Sequence, residues 1–140
     1  MRLHLAIAAG TALGGTGRHL VDALVTGPLG LPPQAATLAV NLLGSLLIGL
    51  FAGLAGPGGR LRVGPEAYQA VVTGLLGGLT TFSLLGLQTL QGSRADHLPW
   101  ALTGLLLHLL AAVAAAGLGH VLATRLNRRH HARTDDSAPD

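Results

Sequence analysis

Residues 77–83 read Gly-Gly-Leu-Thr-Thr-Phe-Ser and stand near the middle of an apolar stretch running from 67 to 89. Paired glycines let a helix unwind and free its carbonyls and amides. Freed carbonyls can replace the water around a desolvated cation, as backbone oxygens do in filters and transporters. The hydroxyls of Thr80, Thr81 and Ser83 can donate or accept as needed. An isolated threonine in a helix bonds back to the preceding turn. That habit covers one hydroxyl well and a Gly-Gly-x-Thr-Thr-x-Ser run poorly. In hydrocarbon a broken helix survives only where it lines a cavity or is buried in protein, so this run is a candidate ion site.

Other polar groups stand in apolar surroundings. Asn41 lies inside a second apolar stretch, and its carboxamide offers two donors and an uncharged acceptor. It either makes an interhelical hydrogen bond, worth roughly 0.6–2 kcal/mol, or donates to a passing anion. Phe82 has a ring whose positive edge can meet an anion without a formal charge. His108 is placed midway along the last apolar stretch, where a histidine is either functional or a neutral, hydrogen-bonded residue. Arg18 and Asp22, at i and i+4, suit an intrahelical pair. Arg18 can also snorkel to the interface or gather anions in a vestibule. No Asp or Glu falls at the middle of any apolar stretch, which disfavours proton-coupled transport. Neither a nucleophile–base pair nor a metal triad is visible, so the residues describe a passive conductor and not an enzyme.

The elements that must position these groups are apolar helices. The chain has 140 residues, 49% hydrophobic and 11% charged, without cysteine. Apolar stretches at 3–26, 35–55, 67–89 and 98–124 each approach or exceed the roughly 20 residues that span a bilayer. The second and third contain no charged residue, which leaves no polar face for water. The expected fold class is therefore an all-α integral membrane protein with four transmembrane helices, the third broken. Residues 1–124 form the membrane domain, and the polar residues 125–140 are expected to be a disordered tail. The first stretch could pass for a secretory signal, but apolar character resumes beyond Arg18, which favours a retained helix. Glycine and proline close the segments at 27–33 and 56–65, and Pro99 suits the first turn of the last helix.

An even number of spans puts both termini on one side. Arg2, Arg60, Arg62, Arg125, Arg128, Arg129 and Arg133 fall on that side, against Arg94, and at most Arg18 with it, opposite. The positive-inside rule predicts cytoplasmic termini and one fixed orientation. Basic charge of this kind meets lipid headgroups, and four spans leave no contiguous basic face for nucleic acid. Small residues recur at a spacing of four in Gly10/Gly14, Gly49/Gly53 and Ala112/Ala116, which lets helix backbones approach closely. Helices this thin enclose little volume, so a pore is expected where two copies meet.

Three stretches resemble the small fluoride channels known as Fluc or CrcB. They are Gly10-x-x-x-Gly14-x-x-x-Arg18, Thr37-Leu38-x-Val40-Asn41-x-x-Gly44-Ser45-x-x-x-Gly49, and Gly74-x-x-Gly77-Gly78-x-Thr80-Thr81-Phe82-Ser83. The resemblance implies an antiparallel dimer with two fluoride paths. It also implies a structural sodium ion at the third-helix break, held by the carbonyls of Gly77 and Thr80. Asn41 matches the family's pore asparagine and Phe82 the first of two pore phenylalanines. Thr81, Ser83 and His108 are the other expected pore residues, with Arg18 in a vestibule or structural role. The chain departs from the family pattern at Leu84-Leu85, where a second phenylalanine is missing. It also departs at Gly104 and His108, in place of a tyrosine and a serine, and mildly at Ala36.

The resulting expectation is a fluoride-selective channel subunit of the bacterial plasma membrane that lowers cytoplasmic fluoride. The arginine bias favours a dimer with a paralogous subunit over a dimer with itself. Two other readings are a small drug-exporter-like transporter and a non-conducting partner subunit of a heterodimeric channel.

Overall fold

A computed structural model describes residues 1–93 and 97–135, with side chains through Arg128. Arg94, which enters the orientation argument, lies outside the described residues, as do the side chains of Arg129 and Arg133. The described residues are helical almost throughout. Helix α1 covers Arg2–Thr26 and α2 covers Pro33–Ala55. Pro33 stands at the start of α2, where its missing N–H would have had no partner. The connection between them turns at Gly30, whose φ of 59° suits a residue without Cβ.

The third apolar segment is compound. It starts as α3 (Pro65–Gln69), widens into a π-helix (Ala70–Leu76), returns to α geometry in α4 (Gly77–Leu79), and resumes as α5 (Ser83–Gly92). Between α4 and α5 the chain is extended at Thr80, with φ −77° and ψ 158°. Helix α6 covers Leu98–Asp135. Residues 125–135, expected from their polarity to be disordered, continue that helix instead. The leucine, arginine and asparagine residues there are compatible with helix, and no glycine or proline intervenes before 135.

The interruption is displaced from where paired glycines suggest it. Gly77 and Gly78 are helical, and the chain departs from helix only at Thr80. Gly78 serves close packing instead. A Cβ on Gly78 would lie 2.6 Å from the Thr11 carbonyl oxygen of α1. One turn away, a Cβ on Gly74 would lie 2.7 Å from the Ile7 carbonyl oxygen. So α1 lies backbone to backbone along the π-helix and α4, while α2 and α6 form the other intimate pair. In that second pair, a Cβ on Gly49 would collide with the Ala116 carbonyl, and one on Gly119 with that of Leu46. Small residues at four-residue spacing bring both pairs together, as the sequence pattern requires.

The core is thin and partly polar. Ala36, Val40, Leu76, Leu85 and Ala123 are buried together with Thr37, Asn41 and Thr81. Large apolar side chains instead line the outside, among them Leu13, Leu20, Leu107 and Val113, with Trp100 77% exposed. A surface built this way suits hydrocarbon and not water. Pro33–Ala55, Pro65–Gly92 and Leu98–Arg128 are long and apolar enough to cross a membrane. This is a multi-pass helical membrane protein.

Candidate functional site: the break facing Asn41 and His108

The extended backbone at Thr80 leaves Thr81 without helical partners for its N–H and C=O. Both are taken by one side chain from α2. Thr81 N–H donates to Asn41 Oδ1 at 2.7 Å, and Asn41 Nδ2 donates to Thr81 O at 2.9 Å. A neighbouring strand would make the same reciprocal pair of bonds, so one carboxamide stands in for a strand. Because Thr81 N–H can only donate and its carbonyl only accept, the orientation of the amide is fixed. Its second Nδ2 proton meets His108 Nε2 at 3.0 Å. Asn41 is 7% exposed, and burial without these partners would be costly.

Hydroxyls complete the break. Thr80 Oγ1 bonds back to the Leu76 carbonyl at 3.1 Å, which is the ordinary habit of a helical threonine. Thr81 Oγ1 accepts the Leu84 N–H at 3.2 Å and so caps the first turn of α5. It also shares a hydrogen bond with Ser83 Oγ at 3.2 Å. Among the described residues, no backbone N–H donates to the carbonyls of Gly77 or Thr80. The residue that would have served Gly77, Thr81, gives its N–H to Asn41. Only the Thr80 hydroxyl approaches the Gly77 oxygen, at 3.5 Å. Two carbonyls at the end of a helix thus keep lone pairs available, which suits a hard cation with oxygen ligands. No group of three or more His, Cys, Asp or Glu among the described residues could hold a metal.

An open cavity of about 180 Å³ brings Asn41, Thr80, Thr81, Phe82 and His108 together, with Ser45 of α2 beside them. Four of the five expected pore residues therefore share one wall. Ser83 is exposed and does not line it, reaching the site only through the Thr81 hydroxyl. Phe82 is 67% exposed, with its ring at the cavity and not in the core. A second cavity, about 290 Å³, continues past His108 and Leu85 to Gln34, Gln88 and Thr89. Every residue around both is uncharged or a histidine, so the cavities offer neutral donors to an anion without a fixed cation to trap it.

Arg18 stands apart from this wall. It lines a separate groove of about 180 Å³ with His19, Asp22 and Leu84, and a small crevice against Ala36, Thr37 and Val40 of α2. Although Arg18 and Asp22 share that groove, no ion pair joins them among the described residues. Sequence reasoning missed Gln88, which lines the larger cavity and whose Nε2 donates to Thr37 Oγ1 at 2.9 Å. A lone carboxamide near the end of an apolar stretch is the signal that could have found it.

An uncharged, donor-lined cavity at a helix interruption defines a membrane protein suited to binding or passing an ion. Comparison with known proteins fixes the family. Residues 5–120 match the family described as "CrcB-like protein, Camphor Resistance (CrcB)", and this chain belongs to it. The chain is 44% identical over 126 residues to "Fluoride-specific ion channel FluC 1" of Rhodopseudomonas palustris (strain BisB18), covering 90% of this chain and 89% of that protein. It is 42% identical over 127 residues to "Fluoride-specific ion channel FluC" of Opitutus terrae, covering 91% and 96%. To the protein of the same name from Rhodospirillum rubrum it is 38% identical over 124 residues, covering 89% and 96%. The family is one of ion channels and not of enzymes.

Proposed function

We propose that this chain is a subunit of a passive fluoride channel in the bacterial plasma membrane, which lets toxic cytoplasmic fluoride leave. The names carried by its relatives support this reading, and the observation that carries it is the uncharged cavity at the break. Stripping a small anion of water costs many kcal/mol unless donors replace the lost hydrogen bonds. At that cavity the Thr81 hydroxyl and the His108 ring are the donors, Asn41 holds both in place, Ser83 backs the Thr81 hydroxyl, and the Phe82 ring edge adds positive potential. All four apolar segments cross the bilayer in this reading, α1 included, since its 25 residues suffice in length. Reconstitution into liposomes tests the reading: fluoride efflux should exceed that of protein-free vesicles, and chloride efflux should not.

The assembly is an antiparallel dimer. A sodium ion would be held by the carbonyls of Gly77 and Thr80, where it would offset the negative end of the helical run at Leu79. Orientation follows from charge. Asn127 of α6 accepts the Arg60 N–H at 3.2 Å, so the loop carrying Arg60 and Arg62 sits beside the helix carrying Arg125 and Arg128. Positive charge so concentrated at one end fixes that end in the cytoplasm, termini included. An antiparallel partner is then a second, oppositely inserted paralogue. Reporter fusions at the C-terminus decide the point: signal confined to the cytoplasm supports the heterodimer, and equal signals on both sides favour the homodimer. Leu85, buried where the sequence pattern leads one to expect a second phenylalanine, keeps a non-conducting partner role as the second reading. Efflux by this chain alone against efflux with its paralogue separates the two.

A further inference from the structure

Imidazole has two nitrogens, and in the neutral ring one donates while the other accepts. In free histidine either can carry the proton, and a hydrogen bond to one nitrogen decides the state of the other. Asn41 is already committed at His108. Its Oδ1 takes the Thr81 N–H and one Nδ2 proton meets the Thr81 carbonyl, so only the second Nδ2 proton faces Nε2 of His108. That nitrogen must therefore accept, and the proton of the neutral ring must reside on Nδ1. No partner for Nδ1 is found among the described residues. His108 meanwhile lines both the cavity at the break and the larger one beyond it.

We infer that His108 is held by Asn41 in the Nδ1-protonated form, which makes it a fixed hydrogen-bond donor to fluoride where the two cavities meet. The chain of control runs from the backbone of the break to the ring. Thr81 orients Asn41, Asn41 fixes the tautomer, and the tautomer supplies the donor. Without that control the ring could turn a lone pair toward the path, and a lone pair repels an anion that has shed its water. The groups facing the ring are Asn41 and Gln34 of α2, Thr81 at the break, and Gln88 and Thr89 of α5. None is charged, so no fixed charge competes with the hydrogen bond in setting the ring. The inference rests on the fluoride reading for its ligand but not for its geometry.

The test has a spectroscopic arm and a transport arm. In ¹⁵N-histidine-labelled protein in nanodiscs at alkaline pH, the signals of His108 are assigned by their loss in His108→Gln, since the chain has seven histidines. The expected pattern is Nδ1 protonated and Nε2 bare, with the Nδ1 signal moving on addition of sodium fluoride and not sodium chloride. In Asn41→Leu the pattern should relax toward Nε2 protonation. In liposomes, His108→Gln supplies an acceptor for Asn41 and an N–H for the anion, so it should retain far more fluoride flux than His108→Leu. The leucine variant should lose about tenfold or more. An Nε2-protonated ring in the wild-type protein, or equal flux in the two variants, overturns the inference. If no protein conducts fluoride, the functional reading fails while the nitrogen signals still judge the lock.

Discussion

Asn41 and Asn127 use the same carboxamide to hold backbone, one buried and the other half-buried beside an exposed loop. Asn41 pairs with both backbone groups of Thr81 inside the protein. Asn127 accepts the Arg60 N–H at 3.2 Å and donates to the Gly53 carbonyl at 3.0 Å, where α2 ends and a loop begins. Water can take over the bond to the exposed Arg60 N–H. Around the buried Thr81 no such substitute is at hand. Net hydrogen-bond strength is similar in both places, but the cost of leaving the partner unmade differs. Chemistry alone thus does not rank two identical side chains; access to water does.

The largest expected effect comes from breaking the buried member. Asn41→Leu strands the Thr81 N–H and C=O, each at about 1–3 kcal/mol. Fluoride efflux from liposomes should fall by at least about tenfold, and thermal stability in detergent should drop as well. Next comes Phe82→Ile, which keeps apolar bulk and removes the ring edge. Flux should fall several-fold while elution volume on gel filtration is unchanged, because an exposed ring contributes little to packing. Gln88→Leu removes the donor to Thr37, for a stability loss of about 1 kcal/mol. Its flux should drop less than that of Asn41→Leu, since Thr37 keeps its bond to the Pro33 carbonyl. The smallest effect belongs to Asn127→Ala: less than about 1 kcal/mol, with flux unchanged. Faster proteolysis at residues 56–64 would register the loosened loop. A loss of flux in Asn127→Ala equal to that in Asn41→Leu would erase the contrast between the two sites.

Much of this was legible in the residues, for physical reasons. Apolar stretches of the right length announce helices in lipid, and four-residue spacing of small residues announces close packing. Gly10, Gly14, Gly49 and Gly53 all prove to face another backbone or side chain closely. What they face was not legible, since a small residue advertises a neighbour without naming it. Within the Gly77–Phe82 run the break falls at Thr80 and not at the glycines for a related reason. Gly77 and Gly78 look permissive, yet α1 presses against Gly78 and both stay helical, while Thr80 takes the extended shape that frees Thr81 for Asn41. Asn41 was recognised as either a structural bond or a pore donor. The bond to Thr81 is separated by 40 residues and that to His108 by 67, and neither spacing leaves a trace in local pattern.

The π-helix at Ala70–Leu76 has a consequence for tolerance of length change. A helix wound with bonds from i to i+5 holds surplus chain compared with one wound from i to i+4. Losing a single residue there can be absorbed by rewinding to the tighter form, with the turns on either side still in phase. The same loss from α2 between Asn41 and Gly49 has nothing to absorb it, and would twist one against the other by about 100°. Asn41 would then point away from Thr81, or Gly49 away from α6. Single-residue deletions should therefore be survivable at 70–76 and ruinous at 42–48, a difference that expression and fluoride-tolerance screening of a deletion series would display.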